Sequence, residues 1–154
     1  MKGNNHITMN RKEGHKMKNK VFILSAAVLL ICCLFLSGCS SEPYTSSYNA
    51  KGLTQSNTDS AASMSYSEFQ GVKVFKLKFD DSFSKSLIYN LRVETGKVTV
   101  YYDTDGSKKT LATLKSGDRV DEKLRDLTCS SMYIIVESTE KSLNGNFSFE
   151  TKVL

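Results

Sequence analysis

Carboxylates are the side chains of this 154-residue sequence best placed to do chemistry, and one pair stands in Asp103-Thr104-Asp105-Gly106. An Asp-x-Asp-Gly stretch forms part of many calcium loops, but a complete loop also needs a later bidentate acid. Leu114 occupies that position, and lysines follow the glycine closely. The stretch therefore predicts a hairpin turn, and no metal or cofactor is expected.

A second group of carboxylates could act on cell-envelope glycans, because pairs of acids catalyse glycoside hydrolysis. Basic residues are interleaved with these acids, however, and mixed signs at such spacing are more typical of a solvated surface. A small carboxylate-based hydrolase is therefore the alternative hypothesis for function. The acids are Asp118, Asp121, Glu122 and Asp126, and the interleaved bases are Arg119, Lys123 and Arg125.

Histidine is confined to the start of the chain, at His6 and His15. Ser-His-Asp and Cys-His nucleophilic sites and most catalytic zinc sites require this residue. Cysteine follows a similar distribution, and after residue 39 only Cys129 remains, where a partly buried structural thiol is expected. If the first 38 residues are removed, the remaining chain lacks these catalytic machineries, which favours a protein that is not an enzyme.

An apolar run from Val21 to Leu36 follows Lys16, Lys18 and Lys20. As a helix its sixteen residues would extend about 24 Å, which is less than a hydrocarbon core of about 30 Å. A basic start, a short apolar centre and small residues at the exit predict a cleavable signal peptide over residues 1–38. An uncleaved signal anchor is the alternative.

The run closes on Leu36, Ser37, Gly38 and Cys39. This ending resembles the lipobox of bacterial lipoprotein signals, in which an aliphatic residue and two small residues precede a cysteine. The resemblance implies that Cys39 carries a diacylglycerol and becomes the new N-terminus. Such a protein would be held by its lipid on the extracytoplasmic face of the cell membrane, without spanning it.

The formal net charge of +5 belongs to the signal peptide. Six of the 21 basic residues but only one of the 16 acidic residues precede Cys39, so 15 of each remain in the rest of the chain. A neutral mature chain offers no basic patch for a nucleic acid, and no nucleic-acid partner is expected.

The elements that would position any site begin after the signal. Residues 39–65 are rich in Ser, Thr, Asn and Ala and poor in aliphatic residues. This composition predicts that the lipidated cysteine is followed by a disordered, flexible tether. Docking of Tyr44, Tyr48 and Tyr66 onto the domain is the alternative.

Residues 66–154 alternate apolar and polar side chains in several short segments separated by turns, with no long amphipathic helix. The pattern predicts an all-β domain, a small antiparallel β-sandwich of six to seven strands, jelly-roll-like or Ig-like. A partly open barrel is the alternative. The expected core comprises Phe75, Leu77, Phe79, Leu87, Tyr89, Leu91, Val93, Val98, Val100, Tyr102, Ile134, Val136, Phe147 and Phe149.

Three local features of this domain are also predicted. The segments on either side of Thr95-Gly96 should form a hairpin, and Asn144-Gly145-Asn146 should be the last turn. A bulge is expected near Val74–Phe75, where the alternation changes phase. Residues 119–127 fit either a short strand with a loop or one helical turn. The late strand and the aromatic strand after the Asn-Gly turn resemble small β-sandwich modules appended to secreted bacterial proteins.

Tyr101, Tyr133 and Ile135 point away from the expected core. Side by side on one sheet face they would form a binding surface for a protein or a glycan. The tether or residues 119–127 could instead cover that face. The leading hypothesis is a membrane-anchored extracytoplasmic lipoprotein that carries a non-catalytic β-sandwich interaction module.

Overall fold

The computed structural model describes residues 42–79 and 84–153, and this part of the chain contains eight β-strands and no helix. All strand pairs are antiparallel. The predicted all-β antiparallel sandwich is confirmed, with eight strands in place of six to seven. The strands are β1 (Ser47–Lys51), β2 (Thr54–Asn57), β3 (Ala61–Lys78), β4 (Lys85–Thr95), β5 (Val98–Asp103), β6 (Lys109–Leu114), β7 (Arg119–Leu127) and β8 (Ser131–Val153).

The strands lie in five adjacent rows. β1 and β2 form one edge row beside β3, and β3 lies beside β8 along nearly its whole length. On its other side β8 pairs first with β5 and then with β4, which follow one another along the same row. β6 and β7 form the opposite edge, since β6 pairs with β5 and β7 pairs with β4.

The sheet bends along a line that crosses these rows. Four rows carry a glycine with positive φ at this line, a conformation that side chains with a Cβ rarely adopt. A Cβ on Gly96 would also lie 2.8 Å from the Cα atom of Ser142 in the neighbouring row, so the corner needs a residue without a side chain. The glycines are Gly52, Gly71, Gly96 and Gly117.

The bend divides the sheet into two layers. The first layer holds β5, β6, residues 72–78 of β3 and residues 131–138 of β8. The second layer holds β2, β4, β7, residues 61–69 of β3 and residues 142–153 of β8. Buried side chains of both layers belong to one cluster. Their inner faces therefore meet in the core, and their outer faces point in opposite directions.

The predicted core is largely confirmed. Every residue expected there is buried except Phe79 and Tyr102, which are partly buried and pack against the cluster. Alternation with a period of two exposes one face of each strand and buries the other, which is why the sequence pattern identified these positions. The core also includes residues outside the expected set, namely Ala62, Met64, Tyr66, Phe69, Leu114, Leu127 and Met132.

The predicted flexible tether is wrong for residues 47–65. This segment contains β1, β2 and the start of β3, and both Ala62 and Met64 are only 2% exposed. In β1 and at the start of β3 the polar residues alternate with more buried ones, whereas all four residues of β2 are exposed and β2 is held by its pairing with β3. Low hydrophobicity therefore did not mean disorder here. The compact unit that contains the sheet extends from Glu42 to the end of the chain.

Both predicted turns are also wrong. The segments around Gly96 do not pair with each other, because β4 and β5 lie end to end along β8. Asn144-Gly145-Asn146 lies inside β8 and reverses no strand. Glycine is needed at position 145 for packing, because the ring of Tyr66 occupies the space that a Cβ would need.

Two irregular patterns have their origin in bulges. Residues 119–127 form an edge strand in which Val120 and Leu124 share a face. A register shift opposite, between Lys85 and Leu87, brings Leu127 inward and produces the apparent helical spacing. The bulge predicted near Val74–Phe75 is wrong, because β3 pairs regularly with β8 from Gly71 to Lys78; the register shift lies between Phe69 and Gly71, and the buried side of β3 changes between Tyr66 and Phe69.

Candidate functional site

The three residues of the predicted binding face lie together on the outer face of the first layer. Tyr101 is the register partner of Ile135, and Tyr133 lies two residues before Ile135 on β8. Tyr101 and Tyr133 are half-buried, whereas Ile135 is 1% exposed and stands outside the core cluster. Ile135 therefore contributes almost nothing to an exposed surface.

The chain segment before β1 covers this face. We call residues 42–46 the strap. The hydroxyl of Tyr44 donates a hydrogen bond to Asp103 Oδ2 at 2.6 Å, and its ring packs edge-on against Tyr133 at 5.5 Å between centroids. At the start of the strap, Glu42 accepts hydrogen bonds from Tyr133 and from Lys76. The strap thus covers the part of this face around Tyr133, whereas the Nζ of Lys108 lies 3.8 Å from the centre of the Tyr101 ring.

Asp103 connects the strap to the turn after β5. Its Oδ1 accepts backbone N–H groups from Asp105, Gly106 and Ser107 at 2.7–2.9 Å, and its Oδ2 accepts the Tyr44 hydroxyl. Burial alone would raise the pKa of Asp103, but these hydrogen bonds outweigh burial and lower the pKa below its ordinary value. The carboxylate organises a turn, as the sequence predicted, and both of its oxygens are engaged.

The acids of residues 118–126 do not converge. Asp118 accepts the backbone N–H of Lys115 at 2.8 Å, and Glu122 accepts the hydroxyl of Tyr89 at 2.9 Å. Burial, together with this bond to Glu122, raises the pKa of Tyr89 to about 12. Asp121 faces the other side of the strand, opposite Asn90. Across residues 42–79 and 84–153 no three His, Cys, Asp or Glu side chains gather where they could hold a metal ion.

A different surface, on the outer face of the second layer, is a second candidate for binding. We call it the polar groove. It is a shallow cleft of about 230 Å³ over the middle of the layer, with contributions from β2, β3, β4 and β8. It is lined by Ser56, Ala61, Ala62, Ser63, Ile88, Asn90, Ser148, Phe149 and Glu150.

Strand register explains why these side chains share a line. Asn90 is the partner of Ser148 on one side and of Asp121 on the other. With its amide nitrogen turned toward Asp121, Asn90 lies 3.0 Å from both carboxylate oxygens. Together with Ser56 and Ser63, these residues form a polar ladder across five strands. At roughly 4.7–4.9 Å per strand, the ladder extends about 19 Å.

A second ladder flanks the first and supplies apolar contact. Ile88 lies between Glu150 and Lys123, and Ala61 is the partner of Glu150. Neither ladder contains an aromatic side chain, and the charges of Glu150 and Lys123 are opposite. The groove therefore offers hydrogen-bonding groups beside apolar contact from Ala61, Ala62 and Ile88, and Asp121 adds a negative charge to the first ladder.

Sequence reasoning missed the polar groove. Ser56 and Ser63 lie in the segment expected to be a tether, and Asn90 and Ser148 appeared only as outward-facing positions. A usable signal was nevertheless present, because three of these small polar residues alternate with buried Ala62, Leu91 and Phe149.

The signal peptide prediction is not tested by the structure, because Leu36, Ser37, Gly38 and Cys39 lie outside the described residues. Within the described ranges no helix has the length and hydropathy needed to cross a bilayer. Cys129 is half-buried and packs against the edge of the core.

No protein-family model matches the sequence, and no curated protein matches it. Among solved structures, the chain is similar to a family 61 carbohydrate-binding module in complex with β-1,4-galactotriose, with a TM-score of 0.41 and 9% identity over 75% of this chain and 92% of that chain. A family 29 carbohydrate-binding module gives a TM-score of 0.36 and 16% identity over 68% and 77% of the two chains. At these TM-scores the likeness does not establish a shared site or function.

Proposed function

We propose that this chain is an exported lipoprotein, anchored through Cys39, whose β-sandwich binds an uncharged glycan in the polar groove without catalysing a reaction. The ladder of Ser56, Ser63, Ser148, Asn90 and Asp121 carries the proposal. It aligns hydroxyl, amide and carboxylate groups on one open face. Hydroxyl and amide groups both donate to and accept from the hydroxyls of a sugar, and the carboxylate accepts from them.

An extended, uncharged polymer fits this surface better than a charged or compact ligand. The groove is open and shallow, so it suits a chain lying across the strands rather than a small molecule enclosed on all sides. Glu150 and Lys123 are opposite in charge, and Asp121 adds one negative charge at the end of the first ladder, so the groove has no attraction for an anion. Phe149 lines the groove but is 1% exposed and packs in the core, so its ring is not available to stack on a sugar and we expect weak affinity.

The distribution of carboxylates supports a role without catalysis. Glycoside hydrolysis needs two carboxyl groups that flank one bond at a defined separation. Asp118 instead accepts a backbone N–H, and Glu122 accepts the hydroxyl of Tyr89. Asp121 lies on the other side of the edge strand from Glu122. The hydrolase alternative therefore gains no support from the acids that suggested it.

The glycan proposal is tested with the leaderless chain, residues 39–154 with Cys39→Ser. Affinity electrophoresis against soluble neutral polysaccharides, and sedimentation with peptidoglycan, would reveal binding. Asn90→Ala should weaken binding by about 2–10-fold, because one net hydrogen bond contributes about 0.5–1.5 kcal/mol. Ser148→Leu should also weaken it by filling the groove.

Thr113→Ala is the matched control, since Thr113 is an exposed residue of β6 in the first layer. It should leave binding unchanged. The glycan proposal fails if no polysaccharide is bound, or if Asn90→Ala and Thr113→Ala behave alike. Saturable binding of a purified cell-surface protein instead would favour a protein partner.

The lipid anchor has an independent test in the full-length chain. Cys39→Ala should leave an unprocessed precursor or release the protein from the membrane fraction, because no thiol remains to accept the diacylglycerol. Intact mass spectrometry of the membrane fraction should show the acylated mature chain only when Cys39 is present. An unchanged mass and unchanged fractionation would contradict the anchor.

A further inference from the structure

We infer that the end of the sandwich away from the bend binds a small carboxylic acid with an apolar chain, whose carboxylate pairs with the ammonium group of Lys85. We call this the end site and define it by Phe79, Lys85, Leu127 and Val153. It lies on the inner side of the sheet, whereas the polar groove lies on an outer face. The inference therefore does not depend on the proposed glycan.

The first observation is a buried positive charge. Lys85 begins β4 and is the register partner of Leu127 on β7 and of Val153 on β8. It lies two residues before the buried Leu87 and on the same side of β4, so its side chain points into the sandwich. Only 6% of Lys85 is exposed, and its Nζ has no hydrogen-bond partner among the residues that the structure describes. A charge in this position is costly unless a negative group pairs with it.

An aromatic contact offsets only part of that cost. The Nζ of Lys85 lies 5.4 Å from the centre of the ring of Phe79, which directly follows β3 in the first layer. The face of a ring attracts a cation, but the three N–H donors of an ammonium group need oxygen acceptors for full hydrogen bonds. Lys85 can therefore still donate to an acceptor that carries negative charge.

The second observation is an exposed apolar side chain beside this charge. Val153 is 59% exposed, and it is the one exposed large apolar residue of the ranges 42–79 and 84–153. Because register partners share a face of the sheet, Val153 lies on the same inner side as Lys85. Phe79 is only partly buried, so the ring that covers the ammonium can move more easily than a ring inside the core. A ligand that contacts Val153 can thus reach Lys85.

The charges around the end site indicate the class of ligand. The nearest lysines along β3 and β8, Lys78 and Lys152, are exposed and lie 3.5 Å from carboxylates of their own. Lys85 therefore supplies a single positive charge, which one carboxylate neutralises. A phosphate would bring close to two negative charges and leave an excess in a buried place. The apolar members of the end site would contact the rest of the molecule, which favours an acid with an apolar chain.

The experiment uses the leaderless chain of the glycan test, which contains the whole compact unit of residues 42–154. Hexanoate is the probe, hexanol has the chain without the charge, and acetate has the charge without the chain. Isothermal titration calorimetry measures affinity, and circular dichroism measures the melting temperature. Hexanoate should bind more tightly than hexanol or acetate and should raise the melting temperature, as a ligand of the folded state does.

Lys85→Met should weaken hexanoate binding by about 10–100-fold, the range expected for one hydrogen bond to a charged group. Without ligand this variant should melt several degrees above the wild type, since it removes an unpaired buried charge. Lys78→Met is the matched control, because Lys78 is exposed on the outer side of the neighbouring layer. It should change neither hexanoate affinity nor the melting temperature.

Val153→Ser is a second variant, at an exposed position, and it serves if Lys85→Met does not fold. It should weaken hexanoate binding and leave acetate binding unchanged. The inference is overturned if no probe binds the wild type, or if hexanol or acetate binds as tightly as hexanoate. It is also overturned if Lys85→Met lowers the melting temperature and leaves hexanoate affinity unchanged, because Lys85 would then serve only the contact with Phe79.

Discussion

At the scale of single residues, Gly145 shows how one position can be misinterpreted from sequence. Asn-Gly is a strong turn signal, and it stands between two apolar strands as a hairpin would require. In the structure the ring of Tyr66 passes over Gly145, stacks on Phe147 at 6.0 Å and bonds to the Oγ of Ser142 at 2.9 Å. The glycine provides room for an aromatic ring from the neighbouring strand, which no local pattern reveals.

We predict that Gly145→Ala destabilises the domain by about 1–3 kcal/mol, the usual cost of overpacking a filled core. The added methyl group would overlap the ring of Tyr66, so the ring or the strand must move. Urea denaturation of the leaderless chain measures the free energy of unfolding. In a Tyr66→Leu background the same substitution should cost less. Equal costs in the two backgrounds would show that the ring is not the obstacle.

At the scale of elements, the strands of the second half were the most predictable. Met132, Ile134 and Val136 alternate regularly, and so do Phe147 and Phe149, because each strand has one face in the core and one in water. The strap and β1 were not predictable in this way. Their burial depends on partners that are distant in the sequence, as Asp103 is from Tyr44. The composition of a short segment cannot predict such contacts.

The same reason explains why the candidate site was only half found. Tyr101, Tyr133 and Ile135 were identified as one outward face, and they do lie side by side. Tyr44, which helps to cover this face, lies 59 residues from Asp103 along the chain. No pattern in the sequence of the face predicts that contact. The polar ladder needs the register of five strands, and register is set by tertiary packing as well as by the local alternation.

Attachment of the strap can be followed at a single backbone amide. The N–H of Val74 donates to the Oγ of Ser46, whereas β8 supports the neighbouring Phe75 through its pairing with Ile134. Ser46→Ala should therefore accelerate hydrogen exchange of the Val74 amide by about 2–10-fold, since one hydrogen bond contributes about 0.5–1.5 kcal/mol. NMR-detected exchange measures both amides. Acceleration at Val74 without change at Phe75 is expected; no acceleration at Val74 would mean that the strap does not protect it.

At the scale of the whole molecule, the bend line makes one sheet into two layers. The rows continue from one layer to the other, and β3 and β8 contribute residues to both layers. This arrangement explains why the predicted hairpin at Gly96 is instead a corner. It also means that the bend residues determine how closely the two inner faces approach each other.

We predict that Gly96→Ala destabilises the domain more than Gly106→Ala does. Both glycines have positive φ, at 101° and 87°, so both substitutions carry backbone strain of about 1–3 kcal/mol. Only at Gly96 would the new Cβ approach another row, at 2.8 Å from the Cα atom of Ser142, whereas nothing lies within 4 Å at Gly106. Thermal and urea denaturation of the two variants provide the comparison. If both variants lose the same free energy of unfolding, the steric contact with Ser142 is not what makes Gly96 necessary.

The position of β8 has a consequence for how the chain is made. β8 is the last strand synthesised, yet it is the central row and pairs with β3, β4 and β5. Until it emerges, the earlier rows on its two sides have no common neighbour, and long-range pairing of this kind is slow to form. Closure of the core must wait for the C-terminal residues. If the chain is exported as we propose, this delay would keep the polypeptide in the extended form that a translocation pore can pass.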